Sequence, residues 1–135
     1  VDYDFKNEAE IGALGYYVGQ IVNDKKPYFK LNSNPGRNNL KLLGAALASS
    51  GAVSMYHAEN ITPEYQFAKN HDSFEELEII DVDESTIKDN VEQLTTTDKI
   101  SDLVCLGCPH ASITEIQKVS KLLKGKKLSK DLWIY

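Results

Sequence analysis

The stretch Leu103-Val104-Cys105-Leu106-Gly107-Cys108-Pro109-His110-Ala111-Ser112-Ile113-Thr114-Glu115 decides the fold class of this chain. Four strand-forming residues, Leu103 to Leu106, run into a Gly-Cys-Pro turn. Ser112 and Glu115 then fit the S-x-x-E capping box that opens a helix. Cys108 therefore falls where a strand ends and a helix begins. In α/β proteins ligand-handling groups sit there, outside the carboxyl ends of the strands. The free N–H groups and the positive dipole end of the helix favour a thiolate over a thiol. A thiolate so placed can attack a substrate or bind a metal.

The pair Cys105 and Cys108 reads in three ways: a redox dithiol, half of a zinc site, or a chance pairing. The haem attachment pattern is excluded because Pro109 separates Cys108 from His110. Zinc would need two further ligands, and His110 is the one close by. A redox role needs both thiols accessible. Cys105, three residues back within the strand, reads as a buried core thiol.

Outward from this stretch, strands alternate with helices. Ile11, Leu14, Val18, Ile21 and Val22 stripe a helix over 8–22, and Gly12, Gly15 and Gly19 within it predict that something packs very close. Tyr28 to Leu31 is a short strand, and Asn32 to Gly36 a loop. Asn38 or Asn39 caps a helix over 40–50, with Leu40, Leu43 and Leu47 as its stripe and Gly51 as its C-cap. Ala52 to His57 reads as the next strand. Thr62 and Pro63 read as the N-cap and first position of a further turn or helix. Leu77 to Val82 is a strand, and Asp83-Glu84-Ser85 opens a helix to Leu94. Thr95 to Asp98 is a loop. Ile113, Ile116, Val119, Leu122 and Leu123 stripe the last helix, which Gly125 ends, and Leu132 to Tyr135 begins another strand. The alternation predicts one three-layered α/β domain over 1–135, with a mostly parallel or mixed sheet and helices on both faces.

The 135 residues are 41% hydrophobic and 26% charged, enough for one domain with a real core. Net charge is −5 and the lysines are scattered, so no nucleic-acid footprint is present. No apolar run approaches the ~20 residues that cross a bilayer. Two cysteines do not make a disulfide scaffold, which points to a reducing cytoplasm. The chain opens at Val1 without Met and ends in an apolar strand, the pattern of a domain cut from a longer protein. Glu75-Glu76-Glu78 and Asp81-Asp83-Glu84 read as solvated surface, because their spacing fits no calcium loop.

Four strings occur in order: Gly12-Ala13-Leu14-Gly15-Tyr16-Tyr17; Asn39-Leu40-Lys41 through Gly44 to Val53; His57 with Thr62-Pro63-Glu64; and Gly107 to Ser112. Together they resemble a middle portion of the large subunit of the aconitase X family. This resemblance implies an aconitase-like domain of a hydro-lyase that removes water from a hydroxy acid, such as mevalonate 5-phosphate or cis-3-hydroxyproline. It further implies an iron–sulfur cluster held by three cysteines, with Cys108 as one ligand and the other two in segments this chain lacks. The implied partners are the remainder of the large subunit and a small swivelling subunit. Asn60 departs from the family pattern, which has Gly after the Glu.

Three more residues are substrate-binding candidates. His57 ends a predicted strand and is either a satisfied edge histidine or a donor to a substrate carboxylate or hydroxyl. His110 either hydrogen-bonds near the helix start or contacts substrate. Ser50 reads first as capping chemistry, with a substrate contact as the alternative. Beside the dehydratase reading stands a thiol-redox or metal-binding α/β domain built on Cys105 and Cys108.

Overall fold

The computed structural model describes residues 1–71, 73–97 and 99–135. Asp98, at the end of the loop expected over Thr95 to Asp98, lies outside them. The chain divides into two compact units, Val1–Thr96 and Thr97–Tyr135, where composition had suggested one domain.

The first unit is built on a helix pair. Helix α1, Glu8–Val22, starts where Asn7 accepts the Glu10 N–H, and its bounds match the apolar stripe. Helix α2, Arg37–Gly51, begins earlier than the stripe predicts, after Gly36 and without a side-chain cap. The expected caps do other work: Asn39 Nδ2 donates to the Pro35 carbonyl at 3.0 Å. Gly51 is not the C-cap either, because the helix closes at Ala52 in the left-handed region with φ 55°.

Gly51 serves the contact between the two helices. A Cβ there would stand 2.5 Å from the Gly19 carbonyl carbon and 2.8 Å from its Cα. The expectation of close packing along α1 thus holds at Gly15 and Gly19, but Gly12 faces open space. Ile11 and Leu14 of α1, Leu43 and Leu47 of α2, and Ile87 are fully buried in this core. Each contributes roughly 1.5–3 kcal/mol by leaving water. Helix α4, Glu84–Leu94, is opened by Asp83, whose carboxylate accepts the Thr86 N–H.

Two short strands run along this core, β1 (Tyr28–Phe29) and β2 (His57–Ala58). They pair in parallel across α2, with Tyr28 opposite His57 and Phe29 opposite Ala58. Helix α3, Tyr65–Lys69, follows, then a 3-10 turn at Phe74–Glu76. The longer strand expected over Ala52 to His57 contributes only its last residue to the pair. Leu77 to Val82 forms no strand among the described residues: its Val82 carbonyl accepts the Asp2 N–H at 2.9 Å. Val82 is buried while Leu77 and Ile79 are exposed, so one face alone of that segment meets the core.

The second unit repeats the β–α–β plan. Strand β3, Leu103–Leu106, pairs in parallel with β4, Asp131–Ile134, and helix α5, Ile113–Leu123, connects them. The α/β class and the parallel pairing therefore hold. Where one sheet was expected, the described strands make two two-stranded pairs. None of the described residues of this unit is buried, and Leu103, Val104, Leu106, Ile113, Ile116 and Trp133 are exposed.

Candidate functional site

The loop between β3 and α5 carries Cys108. Gly107 enters it with φ 117°, a conformation that L side chains rarely adopt. The peptide joining Cys108 to Pro109 is cis. The far side of the loop is tied to the end of β4: the Ala111 N–H donates to the Tyr135 carbonyl at 2.7 Å, and the Tyr135 N–H donates to the Leu106 carbonyl at 3.0 Å. Ser112 and Glu115 close the capping box, with the Ser112 N–H donating to the Glu115 carboxylate at 2.6 Å and the Glu115 N–H to the Ser112 hydroxyl at 3.3 Å. Both flanks of Cys108 are thus fixed by backbone bonds.

Cys108 is a free, exposed thiol, and so is Cys105. The expectation of a buried Cys105 is overturned, because β3 is exposed along its whole length. His110 is exposed on the same loop. Among the described residues no group of three His, Cys, Asp or Glu side chains is arranged to hold a metal. The loop by itself offers one exposed thiol and one exposed imidazole as donors.

In the first unit, His57 lines a cavity of about 430 Å³ together with Gly44, Ser54, Tyr56, Thr62 and Glu64. Tyr56 donates to the Leu40 carbonyl at 2.8 Å and packs edge-on to Phe29 at 5.8 Å, which fixes that wall. Burial pushes the Tyr56 hydroxyl above its usual pKa, so it stays a donor.

Thr62 does not cap a helix. Its hydroxyl accepts the Ala58 N–H at 3.0 Å and lies 3.2 Å from the Ala58 carbonyl, closing the turn after β2. Asn60 stands at the tip of that turn with φ 58°, which explains the Gly of the family pattern: asparagine is one of the few other residues that tolerates this region.

Ser50 lies apart from this cavity lining. Its hydroxyl donates to Ala46 at 2.8 Å and to the Gly15 carbonyl at 3.3 Å, bridging α2 and α1. Of the four residues singled out in the sequence, Cys108 and His110 share the loop of the second unit. His57 and Ser50 belong to the first unit in separate surroundings.

Sequence reasoning passed over Tyr28. Its hydroxyl is buried without a hydrogen-bond partner, as is His57 Nδ1. The signal was the alternation of Tyr28 and Phe29, which puts the tyrosine on the face opposite the core.

Comparison with known proteins agrees with this layout. The family model described as the aconitase X second domain matches residues 1–92, and the aconitase X third domain matches 101–135. The phosphomevalonate dehydratase large subunit of Methanocaldococcus jannaschii is 46% identical over 129 residues, covering 94% of this chain and 32% of that protein. The large subunit of Methanothermobacter thermautotrophicus is 44% identical, over 93% of this chain and 31% of its own length. The cis-3-hydroxy-L-proline dehydratase of Hypocrea jecorina is 31% identical over 84% of this chain and 20% of that protein. The crystal structure of Thermococcus kodakaraensis aconitase X in its holo-form superposes with a TM-score of 0.86 at 36% identity, over 98% of this chain and 34% of that one. The chain spans about a third of the length of the large subunits it matches. With both units covered by successive domain models of one family, the chain belongs to the aconitase X family.

Proposed function

We propose that this chain is a segment of the large subunit of an iron–sulfur hydro-lyase that dehydrates mevalonate 5-phosphate. The observation that carries the reading is 46% identity to a phosphomevalonate dehydratase large subunit across 94% of the chain, against 31% to a hydroxyproline dehydratase. Cys108, exposed on a loop pinned by Ala111 and Tyr135, would hold the cluster as one of three cysteine ligands, and the rest of the large subunit would supply the other two. Bound iron would supply Lewis-acid polarisation of the substrate hydroxyl.

The chain's own contribution is positional. Gly107 and the capping box hold the thiol's loop, and His57 and His110 are the side chains offered to substrate. A small swivelling subunit completes the site, and a reducing cytoplasm suits both the free thiols and the cluster. Among the described residues no helix is long and apolar enough to cross a membrane.

The test is Cys108→Ala in the full-length large subunit purified with its small subunit. Loss of bound iron together with loss of dehydration is the expected result. Unchanged iron content and unchanged turnover would overturn the assignment. A thiol-redox or metal-binding reading draws on one observation, that both cysteines are exposed. It expects a reversible Cys105–Cys108 disulfide, which thiol titration before and after mild oxidation would reveal.

A further inference from the structure

Strands β1 and β2 each have two residues, and their register pairs Tyr28 with His57 and Phe29 with Ala58. Phe29 and Ala58 are buried in the core. Side chains alternate along a strand, and directly paired residues share a face. Tyr28 and His57 therefore leave the opposite face of the pair side by side.

Among the described residues, the buried side-chain polar atoms without a hydrogen-bond partner are the Tyr28 hydroxyl and His57 Nδ1. Folded proteins keep few such atoms, because each has given up water for nothing. That the two fall at paired positions, one of them on a residue lining a cavity, makes them one feature.

No neighbour closes a hydrogen bond to either atom, although the Glu59 carboxylate lies close enough to the Tyr28 hydroxyl to help raise its pKa. The Phe74 and Tyr28 rings pack at 78° with their centroids 4.8 Å apart, which holds the tyrosine. Lys69 takes the Glu59 carboxylate at 2.6 Å. Tyr56 and Thr62, two of the hydroxyl side chains that line the cavity with His57 and Ser54, are engaged by Leu40 and Ala58. Burial, followed by the charge of Glu59, pushes the Tyr28 hydroxyl above its usual pKa, so it keeps its proton to donate.

We propose that Tyr28 and His57 form a hydrogen-bonding pair that receives one oxygen of the hydroxy-acid substrate. Tyr28 donates, and His57 Nδ1 accepts from a hydroxyl or, when protonated, donates to a carboxylate. The assignment rests on the dehydratase reading above and adds Tyr28 as a binding residue.

The experiment uses the full-length large subunit with its small subunit. KM and kcat for mevalonate 5-phosphate are measured for wild type, Tyr28→Phe, His57→Leu and the double variant, with melting temperatures beside them. The expected result is a KM raised about 5- to 50-fold in Tyr28→Phe. The melting temperature should be no lower than wild type, since phenylalanine removes an orphan hydroxyl and keeps the ring. The double variant should lose less than the sum of the two single losses, because both groups serve one oxygen.

An unchanged KM in Tyr28→Phe, beside a wild type that turns over, overturns the pair alone. That holds whether the melting temperature rises, as for an empty orphan, or falls, as for a bound water. A wild-type complex that dehydrates no hydroxy acid overturns the dehydratase reading and the pair with it.

Discussion

The backbone of Tyr135 lies against Gly107 so closely that a Cβ on residue 107 would stand 2.5 Å from the Tyr135 carbonyl oxygen and 2.9 Å from its nitrogen. That carbonyl is the acceptor for Ala111, and that nitrogen the donor to Leu106. The loop bearing Cys108 is thus clasped between the end of one strand and the end of the next.

Gly107→Ala is expected to cost at least about 2 kcal/mol, from a strained φ and a clash with backbone that cannot rotate away. Hydrogen exchange should show the Ala111 and Tyr135 amides losing protection before those of α5. Equal protection in the variant would mean that the clasp is not what holds the loop.

The helix pair of the first unit offers a matched contrast. Gly51→Ala drives a methyl into the backbone of Gly19, and a loss of about 2–3 kcal/mol is expected. Gly12 sits in the same α1 with open space beside it, so Gly12→Ala should stabilise by roughly 0.5–1 kcal/mol. Urea unfolding followed through α-helical circular dichroism checks both signs.

The two thiols should behave alike. Cys105 and Cys108 are both exposed, so both are expected to react with an aromatic disulfide reagent without denaturant. Titration of the 135-residue chain should count two accessible thiols, and a second thiol that reacts only in denaturant would contradict the exposure of β3.

Acid should act on the start of α4. The Asp83 carboxyl is held down to about 2 by the Thr86 backbone N–H, then by the Ser85 and Thr86 hydroxyls. A depressed folded value means that its stabilisation is complete above the unfolded pKa of about 3.9 and is lost as pH falls through the folded value. Asp83→Asn keeps a capping oxygen without the titration, so the acid dependence of α4 protection should flatten between those two values. NMR titration of the carboxyl carbon reads the midpoint directly.

Helices were legible in the sequence and strands only in part. Asp83 and Ser112 mark two helix starts because a cap is a local bond that needs no distant partner, whereas the caps expected at Asn38 or Asn39 and at Thr62 gave way to Gly36 and Glu64. Leu77 to Val82 shows why strands are harder. Its residues suit a pleated surface, but a ladder requires a neighbour, and among the described residues the recorded backbone bond at its end is the one from Asp2. Cys105 failed for a related reason: position in an apolar strand predicts burial only if something covers the strand.

The candidate site followed the same division. Cys108 and His57 were visible as residue types in meaningful places, whereas Tyr28 became visible only through its register with His57. Asn60 was noted as a departure from pattern, and its φ of 58° supplies the reason.

Helix α5 has no buried residue, yet its first turn is locked by two reciprocal bonds between Ser112 and Glu115. A helix begun by its own sequence does not wait for a neighbour to define where it starts. Whatever comes to rest on Ile113, Ile116 and Leu122, the downstream hinge post of the cysteine loop is already planted, and assembly can add cover without having to aim the sulfur.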